Sequence, residues 1–151
     1  MAGADLEIDI RELDRLQRAL LGASRVRFNA LADVIGTEVT SQTRRRIEDE
    51  KAAPDGAPWP AWSERYARTR HGGQSLLQSE DHLLDSIQQV VSGMDLEVGS
   101  NLVYAGVHQE GSEDGTIPPR PYLGMNDENE QDVLAVVDEF LGTHLSREGL
   151  S

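Results

Sequence analysis

The sequence contains no cysteine, which excludes disulfides, thiolate catalysis and cysteine-ligated zinc. It also lacks any apolar run approaching the roughly 18 residues of a membrane span, and Met1 to Ile10 has no basic stretch leading into an apolar core. The expectation is a soluble product made and used without export or membrane contact. Cations are scarce in the second half, where Gly72 to Ser151 carries 15 acidic residues against Arg120 and Arg147 alone. Met1 to His71 has 12 acidic and 12 basic residues, so the whole net charge of −13 falls in the second half. Such a surface repels phosphate and lacks the Lys/Arg footprint of nucleic-acid affinity. No specific nucleic-acid binding is expected, although an acidic channel lets DNA slide through. Ordinary solubilising charge accounts for the same excess.

Catalytic constellations are lacking too. His71, His82, His108 and His144 are scattered, with no spacing that gathers three ligands, so neither a metal nor a cofactor is expected. Gly72-Gly73 runs into Gln74-Ser75 without the lysine of a phosphate-binding loop. Ser75 or Ser79 with His108 and Asp81 is a trio that any chain of this length supplies by chance, and no nucleophile-elbow glycine pattern supports it. The many carboxylates of the second half discriminate nothing. The expectation is a protein that is not an enzyme.

What is present suits one domain of residues 1–151, with a core over about 5–145. Leu6, Ile8 and Ile10 alternate with Asp5, Glu7 and Asp9, the period of a half-buried strand at a sheet edge. Leu13, Leu16 and Leu20 then take helical spacing, with Gly22 as C-cap and Ser24 as the next N-cap. Phe28, Leu31, Ile35, Val39 and Ile47 mark a long helix, closed by Arg44-Arg45-Arg46 against its dipole and ended by Pro54-Asp55-Gly56. A short helix follows near Ser63, and a helical turn spans Ser79 to Leu84. Ile87 to Val91, the Ser92-Gly93 turn and Leu96 to Val98 form an antiparallel hairpin. Pro118, Pro119 and Pro121 impose an extended arm on Gly115 to Gly124. A last helix begins at a capping box of Asp127 with Glu130 and buries Val133, Val137, Phe140, Leu141 and Leu145.

Aromatics make up only 5% of the chain, and Trp59, Trp62, Tyr66, Tyr104 and Tyr122 all lie in its two proline-rich segments. Such rings either lock loops onto the core or anchor a neighbouring subunit. Arg65, Arg68 and Arg70 surround the first cluster, while the second has Arg120 alone.

The ordered set of segments is recognisable. It comprises the long helix, Pro54-Asp55-Gly56, Pro58-Trp59 with Trp62 and Tyr66, Leu76-Leu77 and Leu83 to Ile87. Val98-Gly99-Ser100-Asn101, Tyr104-Ala105, His108-Gln109-Glu110-Gly111 and Ile117 to Gly124 complete it. Over residues 5 to 145 this series resembles the phage virion morphogenesis family, which includes tail completion proteins of P2-like phages and related proteins of Mu-like phages. The resemblance implies an α+β subunit: a small antiparallel sheet packed against a long helix, with a C-terminal helix and an extended proline-rich arm. It implies a structural virion protein for tail completion or head–tail connection, a homo-oligomeric, hexameric ring at the neck or head-proximal tail end. The neighbours would be neck, connector, tail terminator or tail tube proteins, and the location the virion after assembly in the host cytoplasm. The alternative is an assembly chaperone absent from the finished particle, since an acidic protein can shield basic interfaces. Protein-interface residues are expected at Trp59, Trp62, Tyr66, Tyr104, His108, Arg120, Pro121 and Tyr122. Among them Arg120 and Tyr122 are assigned to an arm that meets another subunit or a sheet edge, with a carboxylate as the partner of Arg120.

Overall fold

The computed structural model describes residues 3–11, 28–70, 72–78, 81–93 and 95–147. The helix expected over Leu13 to Leu20, with its Gly22 and Ser24 caps, lies outside them, as do His71 and Ser79. The fold is α+β. Strand β1 (Ala4–Asp9), strand β2 (Gln88–Ser92) and strand β3 (Asp95–Ser100) form an antiparallel sheet in the order β1-β3-β2. The first strand is at an edge, as its alternation predicts, with Asp5, Glu7 and Asp9 exposed and Leu6 and Ile8 turned toward the core. The hairpin turn passes through Gly93, whose φ of +59° suits a residue without Cβ.

Register explains one residue of the Val98-Gly99-Ser100-Asn101 segment. Gly99 stands opposite Asp5 on one side and Gln88 on the other. A Cβ there would sit 2.3 Å from the Ala4 carbonyl oxygen and 2.6 Å from Asp5 Cα, both backbone atoms that cannot move alone. Gly99→Val is therefore expected to cost about 3 kcal/mol, the upper end of ordinary overpacking. Urea unfolding measures it, and an unchanged midpoint would show that β1 does not lie against Gly99.

Helix α1 (Phe28–Arg45), continued by the π-helical turn Arg46–Glu50, covers one face of this sheet. Leu31, Ala32, Ile35, Val39 and Ile47 are buried along its stripe, facing Leu96 and Val98. Gly36 lets the helix close on the sheet, since a Cβ there would lie 2.8 Å from Gln89 Oε1 and 3.0 Å from Leu96 Cδ1. Gln89 Nε2 donates to Asp33 Oδ1 at 2.7 Å, and Arg44 donates to the Ile87 carbonyl at 2.9 Å, so polar contacts set the seating of helix on hairpin.

The helical run stops earlier than the proline-glycine tract suggests. Lys51 takes a left-handed conformation, φ 53°, and its N–H returns to the Arg46 carbonyl. Pro54-Asp55-Gly56 then turns the chain within a small bridge between Ala52 and Pro58.

Helix α5 (Asp127–Arg147) packs on α1 as a third layer, burying Val137 and half-burying Val133, Phe140 and Leu141. The side chain of Leu145 lies outside the described residues. Its capping box sits one residue before the expected Asp127 and Glu130. Asn129 N–H donates to Asn126 Oδ1 at 2.8 Å, and Asn126 N–H donates back to Asn129 Oδ1 at 3.2 Å. Asn129 wins because it is buried, where its Oδ1 also accepts from Arg46 at 2.8 Å. Asp127, Glu128 and Glu130 are left in the first turn, where negative charge complements the helix dipole.

Candidate functional site

Short helices α2 (Glu64–Ala67), α3 (His82–Ser86) and α4 (Ala105–Glu110) carry the region in which the chain is least regular. Ser63 caps α2, its Oγ accepting from Tyr66 N–H. After α4 the chain reverses at Gly111, φ +82°, where a Cβ would meet the Ile117 carbonyl oxygen at 2.9 Å. The reversing loop is held by Asp114 Oδ1, which accepts from Ser112 Oγ, Thr116 N–H and Thr116 Oγ1. These three donors pull the Asp114 carboxyl down to about 2.

The proline-rich tract then runs back along α4 and finds its hydrogen bonds there. Arg120 N–H donates to the His108 carbonyl at 2.8 Å, and Gln109 Oε1 accepts the N–H groups of Tyr122 and Leu123, each at 3.0 Å. Gln109 thus stands in for a strand partner, which proline-interrupted backbone cannot recruit. The Tyr122 ring is fully buried, its hydroxyl donating to the Ala105 carbonyl at 2.8 Å, and burial raises the phenol pKa above its usual value. Trp59 Nε1 donates to the Pro121 carbonyl at 2.8 Å. Arg120 lies beneath, donating from Nε to the Pro60 carbonyl at 2.8 Å and from Nη2 to the Ala61 carbonyl at 3.2 Å.

Lysine 51 organises the opposite wall. The three N–H groups of its Nζ are shared among four acceptors: Ser75 Oγ, the Leu76 carbonyl and Gln78 Oε1 at 2.9, 2.9 and 2.6 Å, and the Ile47 carbonyl. This ties the Ser75–Gln78 turn to the end of the long helix and offsets the left-handed backbone at Lys51. Burial lowers the Lys51 pKa, while Asp49, Asp81 and Glu48 oppose that shift.

Between these walls opens a groove of about 670 Å³. Trp62, Tyr66, Tyr104, Ile117, Leu77 and Leu83 supply apolar surface, with Arg70 and Arg120 as its cations. Trp62 and Tyr66 meet edge to face at 6.0 Å, and the Arg70 guanidinium lies 4.2 Å from the Tyr66 ring centre. Tyr104 meets His108 edge to face at 5.8 Å. Burial first, then the charge of Arg120, lowers the His108 pKa, so its imidazole is neutral at neutral pH. Among the described residues no cluster of three His, Asp or Glu side chains is arranged to hold a metal ion. Nor is any helix there long and apolar enough to cross a membrane.

Residues 8–142 match the phage virion morphogenesis family. The chain belongs to that family. It is also 28% identical over 144 residues to a protein of Escherichia phage Mu that carries the provisional name capsid assembly protein G. That alignment covers 88% of this chain and 90% of the Mu protein. No solved structure matches the chain significantly.

In this member of the virion morphogenesis family the groove gathers Trp62, Tyr66, Tyr104, His108 and Arg120 from three separate segments of the chain. Trp59, Pro121 and Tyr122 are not brought to its surface. Trp59 and Tyr122 are 5% and 0% exposed, so their rings lock the tract onto this chain's own core. Arg120 and Tyr122, expected on an arm against a sheet edge or another subunit, are instead folded under α4 and the 59–61 segment. Two carbonyls, not a carboxylate, hold the Arg120 guanidinium. The physical reason is economy of polar groups: the tract's N–H donors and the arginine fork are satisfied at once by carbonyls of the same chain. Lys51 is missed from sequence, and Gln109 and Ile117 are read only as parts of the ordered segments, not as site residues. Lys51 is the single lysine of the chain, the one signal that could have marked it.

Proposed function

We propose that the chain is a structural virion protein of a tailed phage, a subunit of a homo-oligomeric ring that completes the tail at its head-proximal end or joins it to the neck. The observation that carries this reading is the groove. Tyr66, Tyr104 and Ile117 remain 47%, 42% and 37% exposed around it, and Val103 beside it is 92% exposed. Exposed aromatics on a rigid frame with arginine close by have the composition of protein-binding hot spots rather than of a reaction centre. Membership of a virion morphogenesis family supports a protein partner within the particle.

Quantitative mass spectrometry of purified virions tests the reading. A structural subunit is expected at a fixed copy number per particle, resistant to washing and located at the neck in density maps. Its absence from mature particles, with assembly failing when the gene is deleted, would assign the chain to the chaperone class, whose acidic second half shields basic interfaces during assembly.

A further inference from the structure

We infer that the groove receives the exposed Leu134 flank of α5 from a second copy of this chain. The inference rests on the ring reading above and names its interface. On α5, Glu130, Leu134 and Asp138 are exposed at successive turns, and Leu134 is 51% exposed with an acid one turn to either side. Val137, about 60° around the helix from Leu134, is buried on the side that packs against α1, so Leu134 stands at the exposed edge of that packed face. A half-exposed leucine flanked by acids on the flank of a 21-residue helix is a ready knob for an apolar groove.

The groove offers the complement. Its rings and Ile117 provide an apolar seat, Arg70 stands over Tyr66, and Arg65 and Arg68 are exposed on and just after α2. Charge complementarity selects a second copy as occupant. The chain's net charge of −13 makes most juxtapositions of two copies repulsive, and the arginines of 65–70 place cations beside exposed apolar surface. The knob and the seat are different surfaces of one chain. Contact between them is heterologous, each copy giving its helix to one neighbour and its groove to the other, a geometry that forms a ring when the rotation between copies closes.

Because the chain has no cysteine, single-cysteine variants report the contact directly. Ile117→Cys and Leu134→Cys, mixed under mild oxidation, are expected to give a cross-linked pair containing one of each, while neither variant cross-links with itself. Leu134→Arg is expected to weaken self-association about thirty-fold in sedimentation, a hot-spot-sized loss, with the circular dichroism spectrum unchanged. Leu134→Met should retain association. No mixed cross-link, Leu134→Cys joining only to itself, or unchanged oligomer mass in Leu134→Arg would each overturn the inference. Virion content is measured separately, so a chain retained in particles but indifferent to Leu134→Arg refutes this interface and leaves the structural role standing.

Discussion

Tyr122→Ala is expected to destabilise the fold by about 4 kcal/mol, within the usual range for deleting a fully buried aromatic ring. The size follows from position. The ring sits in the core with no exposure, and its backbone is the hub of the docked tract, with its N–H on Gln109 Oε1 and its carbonyl accepting from Arg46 Nη1 at 2.6 Å. Removing the ring leaves a cavity under α4 and an unpaired Ala105 carbonyl. Tyr122→Phe separates the two contributions, since it keeps the packing and is expected to cost only about 1 kcal/mol for the lost hydrogen bond. Urea titration followed by tryptophan fluorescence reads both, because Trp59 is bonded to the neighbouring Pro121 carbonyl. A loss of less than about 1 kcal/mol in the alanine variant would mean that the tract is not anchored through this ring.

Arg46→Met is the second large effect, expected at about 3 kcal/mol, the scale of breaking a buried charged network. Arg46 is 1% exposed and joins three elements: the end of the long helix, the Tyr122 carbonyl and the Asn129 side chain that caps α5. Burial lowers its pKa, opposed mainly by Glu50, whose carboxylate lies 4.0 Å from Nε. The guanidinium nonetheless keeps its charge across the working range of pH. Methionine fills much of the volume but leaves two acceptors dry. Arg46→Lys is expected to recover only part of the loss, because a single ammonium cannot span both acceptors as the planar fork does. Arg45→Met serves as the control. Its side chain is half exposed and should cost no more than about 0.5 kcal/mol. Equal losses at positions 45 and 46 would contradict the buried role.

These two residues show where sequence reading stops. Arg44-Arg45-Arg46 reads as a cationic helix end, which explains Arg45 and fails for Arg46. A signal was present, since Arg46 lies seven residues after Val39 on the buried side of the helix, beyond Gln42. What periodicity cannot supply is the partner. Gln42 Nε2 donates to the Asn129 carbonyl, and Arg46 reaches Asn129 Oδ1, both across more than 80 residues of chain. The capping box shows the same limit. Asn126 with Asn129 and Asp127 with Glu130 have the same spacing, and only the buried arginine favours the first.

The groove was legible as a list of residues but not as a place. Rare aromatics confined to proline-rich segments singled out Trp62, Tyr66 and Tyr104, because a chain with few rings puts each where packing or contact needs it. The same rule named Trp59 and Tyr122, which went to the core. Composition cannot separate a ring that faces out from one that faces in when both stand on irregular backbone without a period.

By itself the sequence determined the strand at the edge, the hairpin, the long helix and its stripe, the last helix and the family, because each rests on local periodicity, turn chemistry or ordered motifs. Only the tertiary structure decided which cations are buried, which of two capping boxes forms and that the Gly115–Gly124 tract folds back along α4. Those outcomes depend on where distant carbonyls and side-chain oxygens fall once the layers pack, and a buried donor takes whichever acceptor the fold brings within reach.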